Sequence, residues 1–104
     1  MYTHKSTKRH ARASKPRHLR QRLGLNQRDF WSAVGVTQSG GSRYETGRAM
    51  PRPVSELLRL VHVEGIDLAS ARGEHFKIAN RLRSANPGLY RRLRHEVRKV
   101  DRPR

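Results

Sequence analysis

Apolar residues along this chain fall into short clusters whose spacing predicts helices, with glycine or proline between them. Leu19 and Leu23 stand one helical turn apart and predict a first helix from about Pro16, with Gly24 as its stop. Phe30, Trp31 and Val34 form the inward face of a second helix. Tyr44 is the single large anchor of a polar third one, which Gly47 ends. Val54, Leu57, Leu58 and Val61 give a fourth helix that should close a core over the first two, with Pro53 in its first turn and Gly65 as its stop. Ile66 and Leu68 are expected to tuck the chain back. Farther on, Phe76, Ala79 and Leu82 mark a helix over about Glu74 to Ser84. Leu89, Leu93, Val97 and Val100 mark a last one, restarted at Asn86-Pro87.

The boundaries around Asn26 to Arg48 carry the most information. Asn26 can cap the second helix, and Asp29 can bond back while favouring the positive helix end. Gly35, within Val34-Gly35-Val36, lets the chain leave that helix with positive φ, and Thr37 can cap the next. Two short helices held by such a turn can set the second into the major groove of DNA.

From Arg17 to Leu68 the pieces LRQRLGLNQRDF, GVTQSGGSRYETGR and PRPVSELLRLVHVEGIDL resemble the XRE-type helix-turn-helix proteins, relatives of the phage repressors. The resemblance implies that Gln27 bonds a backbone phosphate and that Arg48 is a second phosphate contact. It places Gln38, Ser39, Ser42 and Arg43 on the exposed face of the recognition helix. It also implies a salt bridge between Arg20 and Glu45, joining the first helix to the end of the third. Lys15, Arg17 and Arg52 join Gln27 and Arg48 as candidate phosphate contacts.

The side-chain chemistry agrees. Glutamine pairs with the N6/N7 edge of adenine and arginine forks onto O6 and N7 of guanine, each good contact discriminating by about 1–3 kcal/mol. Gln38 and Arg43 are therefore the candidate base readers, with Ser39 and Ser42 able to take base or phosphate. The plainer reading stays open: Gln38 begins a helix and Arg43 is a solvated charge. One departure stands out. Gly40 and Gly41 lie inside the recognition helix, with Gly41 where relatives have an aliphatic residue, at a propensity cost of about 1.6–2 kcal/mol. Either the Phe30-Trp31 pair fills that space, which the size of tryptophan favours, or the helix is loose until DNA orders it.

Composition narrows the partner. In 104 residues, 24 Lys+Arg face 8 Asp+Glu, a formal charge of +16, which draws polyanions and nucleic acid above all. Charge alone leaves open a nonspecific architectural or RNA-binding protein. Residues Met1–Lys15 are basic, free of acids and almost without apolar residues, so a disordered arm lying along phosphates is expected. Cysteine is absent, which removes disulfides and cysteine-based zinc sites. No apolar run approaches a bilayer span and no signal-peptide core is present, so a cytoplasmic protein of bacterial or phage setting is expected, without a membrane partner. His4, His10, His18, His62, His75 and His95 are scattered, with no ligand spacing, nucleophile set or phosphate-binding loop. The expectation is a non-enzyme with no metal, no cofactor and no evident small-molecule effector; His62 reads as a partly buried surface histidine.

The expected architecture is all-α: a basic arm over 1–15, a four-to-five-helix repressor-like helix-turn-helix domain over 16–70, and a basic helical hairpin over 71–104. The hairpin can complete its own domain's core, pair with a second copy to form a homodimer, or add phosphate contacts. The function expected is sequence-specific binding of double-stranded DNA by a transcriptional regulator that reads the major groove with helix 37–46. An antitoxin-like protein-interaction module is the remaining alternative class.

Overall fold

The computed structural model describes residues 15–101, and among them it is all-helical, without strands. In chain order the helices are α1 (Pro16–Leu23), α2 (Gln27–Ser32), α3 (Gln38–Glu45), α4 (Arg52–Leu58), α5 (Gly73–Ala85) and α6 (Pro87–Asp101). The backbone of α4 runs on into a π-helical turn, Arg59–Val63. The chain divides after Leu68 into two compact units. Of the arm expected over Met1–Lys15, all but Lys15 lies outside the described residues.

The first unit is built on Leu19, Phe30, Trp31, Val34 and Leu58, all buried, with Leu25, Val36, Tyr44, Met50, Val54, Leu57, Val61 and Val63 packed around them. Phe30 and Trp31 meet edge to face, ring centroids 5.2 Å apart, which suits the ring quadrupoles. α1 opens on Pro16, whose missing N–H costs nothing at the first helical position, and ends where the Gly24 N–H bonds back to Arg20 and Gln21. Its buried row is Pro16 and Leu19, one i,i+3 step. The expected inward pairing of Leu19 with Leu23 is corrected: Leu23 is 44% exposed, because it lies past the edge of the core and Leu25, after the turn, packs there instead. Leu68 is corrected likewise, at 40% exposure on the margin of its unit.

α4 buries Ser55 and Leu58. Beyond it the helix widens, with the Glu64 N–H reaching Arg59 O at 2.8 Å, and Arg59 straddles the wide turn by pairing with Glu56 on one side and Glu64 on the other. The Glu56 hydrogen bond, more than it is opposed by burial, raises the Arg59 pKa above its ordinary value. The turn presents His62 to α2: its ring stacks on Phe30 (centroids 4.2 Å, planes 7° apart) and Nε2 donates to Phe30 O at 2.8 Å. That carbonyl lies near the C-terminal end of α2, where a short helix runs out of its own N–H partners.

In the second unit α5 and α6 pack on each other. Asn86 serves both helices. Its N–H bonds Leu82 O at the end of α5, and its Oδ1 accepts from Leu89 N at 3.2 Å to open α6. The apolar stripes expected here are present as sequence but thinly covered. Leu82 and Leu89 are half-buried, whereas Phe76, Ile78, Leu93, Val97 and Val100 are exposed. A two-helix hairpin has no third element to close over such a seam.

Candidate nucleic-acid interface

The turn between α2 and α3 is set by backbone bonds. Val34 N and Val36 N both reach Trp31 O, at 3.1 and 3.0 Å, and Gly35 N reaches Ser32 O at 3.0 Å. This closure needs φ of +77° at Gly35, where a side chain would be strained. Asn26 caps α2, its Oδ1 accepting from Asp29 N at 2.7 Å. The return bond differs slightly from expectation, since Asp29 Oδ2 accepts from the Asn26 side-chain amide, at 3.3 Å. Thr37 caps α3 through Gly40 N at 3.1 Å.

Successive residues on α3 turn by about 100°, so its two sides separate cleanly. Gly41 is buried, and Tyr44 and Glu45 are partly covered against the core. Gln38, Ser39, Arg43 and Thr46 are exposed on the other side, with Ser42 half-buried between them. The middle of that outer side carries only hydroxyls, and Thr46 turns its own inward to Ser42 O and Arg43 O. Gln38 and Arg43 are thus the long side chains flanking a low central stripe.

Gly41 meets the flat of Trp31. A Cβ built on it would overlap Trp31 Cγ, Cδ1 and Cδ2. The indole is fully buried and leans on Tyr44, ring centroids 5.6 Å apart. The packing explanation for Gly41 holds: tryptophan on α2 occupies the volume that a side chain on α3 would need. Gly40 is different, its added Cβ meeting only Thr37 Oγ1 at 3.3 Å and Val36 Cγ1 at 3.4 Å.

Glu45, whose side chain is 2% exposed, gathers three helices. Arg20 forks onto it, Nε to Oε2 and Nη2 to Oε1, both 2.9 Å. Trp31 Nε1 donates to Oε2 at 2.8 Å and Gln27 Nε2 to Oε1 at 3.3 Å. Burial works to raise the Glu45 pKa, but the hydrogen bonds from Arg20, Trp31 and Gln27 outweigh it and hold the carboxyl below its ordinary value. The same bond raises Arg20. Trp31 as a partner of Glu45 was not legible in the sequence, although a glycine inside the helix that follows a tryptophan-bearing one is a signal that the ring takes the missing side chain's volume.

Of the candidate phosphate contacts, Gln27 is half-buried and engaged with Glu45. Arg48 is exposed and rests over the Tyr44 ring, 5.7 Å from its centroid. Lys15 and Arg17 are exposed at the start of α1 and, with His18, Tyr44 and Gly47, line an open cleft between that start and the end of α3. Arg52 is exposed at the first position of α4. Among the described residues no cluster of His, Asp or Glu is placed to hold a metal ion, and no helix is long and apolar enough to cross a membrane.

Residues 17–61 match a protein-family model described as the RsaL-like HTH domain. No curated protein and no solved structure gives a match to the chain. The matched span runs from the first turn of α1 into the π turn and so contains every helix around the Glu45 junction. Over these residues, somewhat under half of the chain, the protein is similar to a helix-turn-helix domain, which supports DNA as its partner.

Proposed function

We propose that the protein binds double-stranded DNA sequence-specifically, reading the major groove with α3, and regulates transcription by occupying an operator. The observation that carries this reading is the division of α3 into an anchored side and an outward side bearing Gln38, Ser39, Ser42 and Arg43. Gln38 suits adenine and Arg43 guanine, with the serines free to take base or phosphate. Arg48, Lys15, Arg17 and Arg52, all exposed, supply cations for phosphate, and the amide hydrogen of Gln27 not given to Glu45 supplies a further donor. The likeness of residues 17–68 to XRE-type proteins supports the regulatory part of the proposal, and a bacterial or phage cytoplasm is the setting it implies. Binding rather than catalysis is its chemistry.

Selection of bound duplexes from a random pool tests it. A recovered consensus is the expected result, and Gln38→Ala should weaken that consensus far more than random DNA. Uniform recovery of sequences, with affinity set by salt alone, would instead identify a nonspecific polyanion binder.

A further inference from the structure

Resting on that reading, we infer that Trp31 is a positioning residue for base reading: it fixes α3 from Gly41 onward and with it the reach of Arg43. Trp31 packs against the anchored side of α3, where it also leans on Tyr44. It meets the helix at Gly41, whose missing side chain it replaces, and at Glu45, whose carboxylate accepts its N–H at 2.8 Å. These points run from the middle of α3, at its fourth residue Gly41, to its last residue, Glu45. The first residues of α3 are held by other means, the Thr37 cap and the backbone bond from Val36 N to Trp31 O.

The geometry gives this division leverage. Gln38 and Arg43 are five residues apart, about 7.5 Å along the axis, so they sample different base steps. Gly41 and Arg43 are two residues apart and point to nearly opposite sides of the helix. How closely Gly41 seats on the indole therefore sets how far Arg43 stands out from the domain. With Ser42 and Thr46 short, no other long outward side chain between Gly41 and Thr46 can compensate. Freeing α3 from Gly41 onward blurs what Arg43 reads and leaves Gln38, beside its cap, in place.

Two variants separate this from a purely structural role. Trp31→Phe shrinks the ring and removes the donor. β-(3-Benzothienyl)alanine at position 31 keeps the bicyclic shape and removes only the N–H; the chain has one tryptophan, so residue-wide replacement alters that site alone. Glu45 Oε2 keeps its bond from Arg20 Nε in both. Arg43→Ala and Gln38→Ala first identify, in duplex selection with the full chain, the base position each residue reads. Both Trp31 variants should then flatten preference at the Arg43 position by about fivefold, the low end for a bidentate contact, and leave the Gln38 position within about twofold. Equal flattening at both positions, or a lower melting temperature with both preferences intact, overturns the inference. If the unaltered protein selects no consensus, the sequence-specific reading itself fails; a consensus that ignores Trp31 removes only the inference.

Discussion

Gly40→Ala and Gly41→Ala are the same chemical change at adjacent positions of one helix, and their effects on stability should have opposite signs. Alanine is favoured over glycine in a helix interior by about 0.8–1.0 kcal/mol, a gain both variants share. At Gly40 the new methyl meets Thr37 Oγ1 and Val36 Cγ1 at 3.3 and 3.4 Å, a contact relieved by a shift of a few tenths of an ångström. Most of the gain survives, a net stabilisation of about 0.5 kcal/mol. At Gly41 the methyl falls within the indole of Trp31, which is 0% exposed and tied to Glu45 by its N–H. Overpacking of that kind costs about 1–3 kcal/mol, and a ring that cannot swing away puts the cost at the upper end. Net destabilisation of about 1–2 kcal/mol follows, with each kcal/mol moving the melting temperature of so small a domain by about 4–8 °C. Thermal unfolding followed through emission of the single tryptophan reports on the first unit directly. Pairing Gly41→Ala with Trp31→Leu, followed by circular dichroism, should recover part of the loss beyond additivity. A Gly41→Ala protein as stable as Gly40→Ala would refute the interlock and return Gly41 to being an ordinary weak helix position.

Three other outcomes follow from the same geometry. The folded-state pKa of Glu45 is depressed, so its stabilising contribution is present above the unfolded carboxylate value of about 4.3 and is lost as pH falls through the lower folded value. Urea titrations across that acid range should show Glu45→Gln less stable than the parent at neutral pH, with the gap closing in acid; a constant gap would remove Glu45 from the linkage. His62→Ala deletes the stack on Phe30 and the bond to its carbonyl, and should cost about 1.5–3 kcal/mol in chemical denaturation, whereas a loss under about 0.5 kcal/mol would mean that water replaces both. Arg48→Ala should lower affinity for preferred and random duplexes alike and reduce the salt slope by about one unit; selective loss on the preferred site would make Arg48 a base reader.

Much of the first unit was written locally, in residues that act on their near neighbours. Asn26, Thr37 and Asn86 cap the helices that follow them, and Gly35 takes the left-handed backbone the turn requires. Phe30 and Trp31 reached the core from one side of α2, whereas Val34, expected on the same helix, reached it from the turn that follows Ser32. Leu23 failed the same reasoning: periodicity shows which side a residue lies on, not where the neighbouring element ends. The same limit applies to Val97 and Val100, whose stripe is regular and whose cover is absent within the hairpin. The π turn was invisible because its extra residue disturbs no hydrophobic repeat, yet it brings His62 onto Phe30, 32 residues away. At the interface, the outward residues of α3 were legible from the resemblance, and Gly41 signalled an exchange of volume with Trp31. That the indole also donates to Glu45 depends on the angle at which two helices cross, and no local pattern encodes it.

On the proposed DNA-reading role, the seating of Gly41 on Trp31 also governs what can move on binding. A helix resting on a row of flexible aliphatic side chains can slide or roll; one whose backbone abuts a rigid ring, with a carboxylate pinned to that ring, has few neighbouring minima to visit. If Gln38 and Arg43 read bases as proposed, mutual adjustment on binding falls to their rotamers and to the bending and groove width of the duplex. Sequences that deform easily would be favoured even at base pairs no side chain touches.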